Sequence, residues 1–77
     1  NGVHIMPGAV IGGNVNIGNF VTVGLNATIL PNLNIDEGAF IGAGAVVTKD
    51  VKKNQVVVGS PAKFLKKMKH KVTIKYL

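Results

Sequence analysis

Imidazole is the side chain best suited to take a proton near neutrality, with a reference pKa of about 6.5, and the sequence offers two, His4 and His70. There is no Cys, so a thiol nucleophile, a disulfide framework and a thiolate metal site are all excluded. Two histidines also fall short of a three-imidazole zinc site within one chain. The remaining charged chemistry is cationic. Residues 1 to 60 carry Lys49, Lys52 and Lys53 against Asp36, Glu37 and Asp50, which cancel. The whole net charge of +6 therefore lies in Lys63, Lys66, Lys67, Lys69, Lys71 and Lys75. Such ammonium groups attract phosphates as point charges. Nucleic acid is a poor partner for them, because the tail has no Arg and only Phe64 and Tyr76 for stacking.

The elements that position these groups follow from a period of six. Ile5, Ile11, Ile17, Val23, Ile29, Ile35, Ile41 and Val47 share one register. Four places on stand Ala9, Val15, Val21, Ala27, Leu33, Ala39, Ala45 and Val51, all apolar and most of them small. Three places after each aliphatic come Gly8, Asn14, Phe20, Asn26, Asn32, Gly38, Gly44 and Asp50. All but Phe20 are types that tolerate a left-handed backbone at a tight turn. A period of six does not match a helical stripe but suits short strands between regular turns. Three units close a triangular coil of eighteen residues, and the coils stack as parallel strands about 4.8 Å apart. A Gly-rich β-sandwich is the alternative. It does not require three positional preferences to agree in one register. With 77 residues, 5% aromatic content and no disulfide, such a chain needs partner chains for stability.

The units Ile11-Gly12-Gly13-Asn14-Val15-Asn16, Ile17-Gly18-Asn19-Phe20-Val21-Thr22 and Ile41-Gly42-Ala43-Gly44-Ala45-Val46 carry the order aliphatic, Gly, any, any, small, any. In this the sequence resembles the hexapeptide-repeat acyltransferases. The resemblance implies an all-β left-handed parallel β-helix with three hexapeptides per coil over residues 1–59. A short C-terminal helix is expected in the basic segment 60–77, where Ser60 reads as a cap and Pro61 as the first helical residue, running through Phe64, Leu65 and Met68. That helix is expected to plug the open end of the solenoid. The run from Gly42 to Val51, continued by Val58-Gly59-Ser60-Pro61-Ala62-Lys63, is similar to the C-terminal signature of the acyl-CoA-dependent members. The segment from Val3 to Gly13 is similar to sugar acetyltransferases of the sialic-acid and bacillosamine type.

Stacking by eighteen sorts the outward positions into three columns: His4, Thr22, Phe40 and Val58; Val10, Thr28 and Val46; Asn16, Asn34 and Lys52. The first two are semi-apolar, the mark of an association surface, and a symmetric trimer covers two faces per subunit. At the corners, Pro7, Leu25, Ala43 and Pro61 make an uncharged edge, while Asn1, Asn19, Glu37 and Gln55 make a polar one. A long thiol cofactor prefers the first.

The resemblance implies acetyl-CoA in a groove between subunits of a homotrimer, with no metal. Gly24, Leu25, Gly42 and Ala43 are expected to meet the pantetheine, with Pro61 as a further cofactor contact on the uncharged edge and Lys63 and the lysines after it near the nucleotide phosphates. Acetyl transfer needs a base for the acceptor proton and a donor for the thioester oxygen. In the resembling enzymes His4 matches a substrate or acetyl-CoA contact, and Gly13 a backbone N–H facing that oxygen. The base itself matches a position before Asn1. The implied activity is acetyl transfer to a sugar or nucleotide-sugar amine or hydroxyl. The alternative is a structural or regulatory solenoid. An ice-binding array is disfavoured because Thr22 and Thr28 fall on different faces. The missing initiator Met suggests a processed or truncated product, and neither a signal peptide nor a membrane span is recognised, so a cytoplasmic location is expected. Val72 to Leu77 alternates as a strand would.

Overall fold

A computed structural model describes residues 2–67. The chain turns a corner every six residues because the fourth place of each unit from Gly8 to Gly44 takes a positive φ, from 58° at Asn26 to 80° at Gly8. Between corners only two residues per unit are extended: β1 His4–Ile5, β2 Val10–Ile11, β3 Asn16–Ile17, β4 Thr22–Val23, β5 Thr28–Ile29, β6 Asn34–Ile35, β7 Phe40–Ile41 and β8 Val46–Val47. Two longer strands follow, β9 Gln55–Val58 and β10 Lys63–Lys67. They assemble into three sheets, ordered β1-β4-β7-β9-β10, β2-β5-β8 and β3-β6. These are called sheets 1, 2 and 3 below.

Every pairing up to β8 is parallel and offset by eighteen residues, as in His4 with Thr22, Thr22 with Phe40, and Thr28 with Val46. The backbone follows suit, for instance Gly24 N–H to Ile41 O at 2.8 Å and Thr28 N–H to Ala45 O at 2.8 Å. One aliphatic per side points inward, so Val23 and Ile41, Ile29 and Val47, and Ile35 and Val51 form the core with Val21, Ala27, Ala39 and Ala45. The first coil is the outer layer of this core, and Ile5 and Val10 are exposed there.

The register departs from eighteen after Val47. Ile35 bridges Val51 and Phe40 pairs with Val56, both offset by sixteen, so the third coil is two residues short. Val51 therefore takes the inward aliphatic place rather than the small place expected for it. Asp50 stands out of the left-handed set for the same reason: its carboxylate Oδ1 accepts the Asn34 N–H at 2.8 Å where a third strand of sheet 3 would lie. The outward column of sheet 1 accordingly continues at Val56, not Val58. At the polar corner Asn54 N–H donates to Glu37 O, which puts Lys53, not Gln55, above Glu37.

The expected helix after Ser60 is not formed within the described residues. The chain reverses through Gly59 and a cis Ser60–Pro61 bond, and β10 pairs antiparallel with β9, Lys63 opposite Val58 and Phe64 opposite Val57. A helix would satisfy only its own backbone and leave the outer N–H and C=O groups of β9 unpaired, whereas a returning strand satisfies both. The end of the solenoid is thus closed by a strand. A bulge lies between Phe64 and Lys66, and Leu65 is left exposed. The expected Met68 turn, His70 and the alternation from Val72 to Leu77 lie outside the described residues.

Candidate functional site

The corner between sheets 1 and 2 collects most of the residues the sequence singles out. Stacking places Leu25 over Pro7 and Ala43 over Leu25, tied by Asn26 N–H to Pro7 O at 3.1 Å and Gly44 N–H to Leu25 O at 2.7 Å. Gly24 lies directly under Gly42, and a Cβ on Gly42 would come 2.8 Å from Val58 Cγ1. Val58 in turn pairs with Lys63. Gly24, Gly42, Val58 and Lys63 therefore run up one column, spanning roughly 14 Å at strand spacing. Leu25 and Ala43 stand exposed beside it. Among the described residues, the N–H groups of Leu25 and Ala43 donate to no backbone carbonyl.

Pro61 does not continue the corner column as expected, because the short third coil and the reversal at Gly59 move it. Val46 N–H bonds Gly59 O at 3.0 Å and Ala62 N–H bonds Val46 O at 2.8 Å, so the 59–62 loop arches over β8. There Pro61 and Lys63 line a hollow of about 340 Å³ with Thr48, Lys49 and Phe64. The sequence reading missed Thr48 and Lys49, and the signal for them is the two-residue shortening that brings this turn to the end of the stack.

His4 and Gly13 are not brought together within one chain. His4 opens β1 on the outer side of sheet 1 and is exposed, with its N–H bound to Val21 O at 2.9 Å. Gly13 lies on the next corner, between sheets 2 and 3, a full sheet away. The outer side of sheet 1 is also less open than its residue types imply. Thr22, Phe40 and Val56 are buried there, above the exposed His4. Val10, on the outer side of sheet 2, is 58% exposed, and Leu25 and Leu30 are exposed on the two flanking corners.

The glycines separate by cause. Gly12, Gly18 and Gly24 sit where a Cβ would meet backbone of the next coil at 2.6 to 2.7 Å, and Gly42 where it would meet Val58. Gly8, Gly38 and Gly44 have positive φ, as do Gly2 and Gly59. Only Gly13, among the described residues, has neither: no positive φ and no atom within 4 Å of a built Cβ. Neither packing within the chain nor a left-handed backbone requires a glycine there.

Outside this corner, the outer side of sheet 3 carries a polar ladder, Asn16 Nδ2 to Asn34 Oδ1 at 2.9 Å, over a hollow of about 420 Å³ shared with Asp36, Glu37, Asp50 and Lys52. Lys52 thus lies on the expected side, with Asp50 in the stacked position. Among the described residues no group of His, Asp and Glu could hold a metal ion, and no helix is long and apolar enough to cross a membrane.

No protein-family model matches the chain. It is 40% identical to a 2,3,4,5-tetrahydropyridine-2,6-dicarboxylate N-acetyltransferase of Staphylococcus aureus, over 83% of this chain and 30% of that one. The acetyltransferase domain of PglB from Neisseria gonorrhoeae, solved in complex with acetyl coenzyme A, superposes with a TM-score of 0.80 at 40% identity, over 82% of this chain and 31% of that one. PerB from Caulobacter crescentus, solved with CoA and GDP-perosamine, superposes with a TM-score of 0.80 at 30% identity, over 82% and 30%. The chain spans about a third or less of the length of the curated relatives it matches, 27% to 35%. The stacked three-sided coil is that of the left-handed β-helix acetyltransferases.

Proposed function

The chain belongs to the hexapeptide-repeat acyltransferases, and from that premise we propose that it serves acetyl-CoA-dependent transfer of an acetyl group to the amine or hydroxyl of a sugar or nucleotide sugar. The observation that supports the site assignment is the column from the buried Gly24 and Gly42 through Val58 to the exposed Lys63, with Leu25 and Ala43 exposed beside it. A pantetheine arm is long, narrow and amide-bearing. It suits a straight edge with exposed backbone at Leu25 and Ala43, and the hollow at its far end, lined by Lys49 and Lys63 with Asp50 and Pro61, offers two ammonium groups against one carboxylate to the nucleotide phosphates. Lys63 attracts them as a point charge.

His4 contacts the acceptor or the acetyl end, and the Gly13 N–H meets the thioester oxygen as charge develops on it. These two groups lie a sheet apart in one copy, which supports a homotrimer: the His4 side of one copy faces the Gly13 corner of the next. The exposed apolar strip Val10, Leu25 and Leu30 supports sheet 2 as the subunit contact. No metal is part of this reading, the general base is not assigned to His4, and the reading places the protein in the cytoplasm.

Calorimetric titration of the chain with acetyl-CoA tests the proposal. The wild type is expected to saturate, and Lys63→Glu to bind about tenfold more weakly by charge reversal beside the phosphates. Sedimentation is expected to give three times the 8.0 kDa chain mass. An assembled protein that takes up no acetyl-CoA would instead be a structural solenoid.

A further inference from the structure

Phe20 is the residue that neither the repeat nor the proposed chemistry absorbs. It occupies a corner position that otherwise holds Gly, Asn or Asp, and it does so at a φ of 59°. A bulky side chain in the left-handed region is a genuine outlier, and such outliers persist where the surroundings hold them and cluster where ligands bind. Its ring is 62% exposed, the most of any large apolar side chain among the described residues.

The ring has a built seat. It lies against Gly2, where a Cβ would stand 2.5 Å from Phe20 Cδ1 and 2.7 Å from Cε1, so a side chain at Gly2 would push the ring from its place. On the other side of Phe20 in the same corner column is Gly38, which has no side chain to cover the ring. The ring therefore rests on Gly2 and is otherwise largely exposed. His4 is two residues beyond Gly2 on the same coil, within about 7 Å of backbone reach. The aromatic surface thus stands at the corner from which β1 starts, next to the side of sheet 1 that carries His4, with the Asn19 and Glu37 positions alongside.

We propose that Phe20 is the platform on which the pyranose ring of the acceptor lies, with His4 meeting its polar rim. A pyranose is amphipathic, with C–H groups on its faces and hydroxyls or an amine at its edge, which matches an open aromatic face bordered by hydrogen-bonding groups. The inference rests on the acetyltransferase reading and goes beyond it in naming the acceptor-binding residue.

The test is saturation-transfer NMR and calorimetry on the full chain, with GDP-perosamine and with glucosamine as probes and acetyl-CoA as the control. Wild type is expected to show ring contact between Phe20 and the sugar C–H groups of at least one probe. Phe20→Asn, which keeps a residue suited to positive φ, is expected to weaken that probe about tenfold. Its acetyl-CoA affinity and melting temperature should not fall. Phe20→Trp is expected to retain sugar binding. Acetyl-CoA binding by the wild type without contact from either sugar at Phe20 would overturn this inference alone. So would a Phe20→Asn variant that changes only melting or only the oligomeric state, since the ring would then be a turn cover or a subunit contact. Failure of the wild type to bind acetyl-CoA would overturn the underlying reading, and this one with it.

Discussion

The eight coil sides up to Val47 and the closing segment from Thr48 to Lys67 are built from similar residues, yet they obey different rules. In the first region each residue meets its own equivalent eighteen places on, so one set of preferences is reused at every level. In the second the offset falls to sixteen, an aspartate side chain stands in for strand backbone, and the last strand runs antiparallel. The lesson is that a repeat is cheap to extend but must be ended by something outside it, because the last coil leaves both apolar core and ladder groups open. The residues nearest the proposed nucleotide end, Lys49, Pro61 and Lys63, belong to that ending.

Substitutions can sharpen or break this contrast. The largest effect is expected for Ile41→Ala in the middle of the stack, where a fully buried side chain touches levels above and below. A loss of about 2–5 kcal/mol in chemical denaturation is expected, and a loss below about 1 kcal/mol would mean that the coils are not mutually supporting. Gly24→Ala comes next. Its Cβ would fall 2.7 Å from the Ala43 backbone N, a contact that flexible side-chain motion cannot relieve. A cost of about 1–3 kcal/mol is expected, measured the same way. In the closing segment, Asp50→Ala removes the acceptor for the Asn34 N–H, and about 1 kcal/mol is expected because the group is exposed to water. The smallest stability effect is expected for Gly13→Ala, where the added methyl meets nothing. Thermal melting should be unchanged within error while acetyl transfer or acetyl-CoA affinity falls. A melting loss as large as that of Gly24→Ala would remove the distinction between packing glycines and the Gly13 position.

The two regions were not equally legible. The inward aliphatics, the small apolar positions and the corner residues could be read from residue type at fixed spacing, and even Phe20 adopts the left-handed backbone of its column despite its side chain. The residues of the Gly24 to Ala43 corner could be placed together for the same reason. His4 could be picked out by type and Gly13 only through the resemblance, and their separation by a whole sheet is seen when the faces are built. Phe40 illustrates the limit on surfaces. Its outward position implies exposure, whereas it is fully buried in the fold.

What the sequence alone determined is the period, and through it the strands, the corners and the core, because each of these depends on local backbone preference and on contact with an identical neighbour. What only the tertiary structure decided is the ending. Ser60-Pro61 carries a sound local signal for a helix start, yet β10 forms because the edge of β9 offers a row of unpaired donors and acceptors that a strand can satisfy and a helix cannot. Local propensity is worth tenths of a kcal/mol per residue, and an open sheet edge outweighs it.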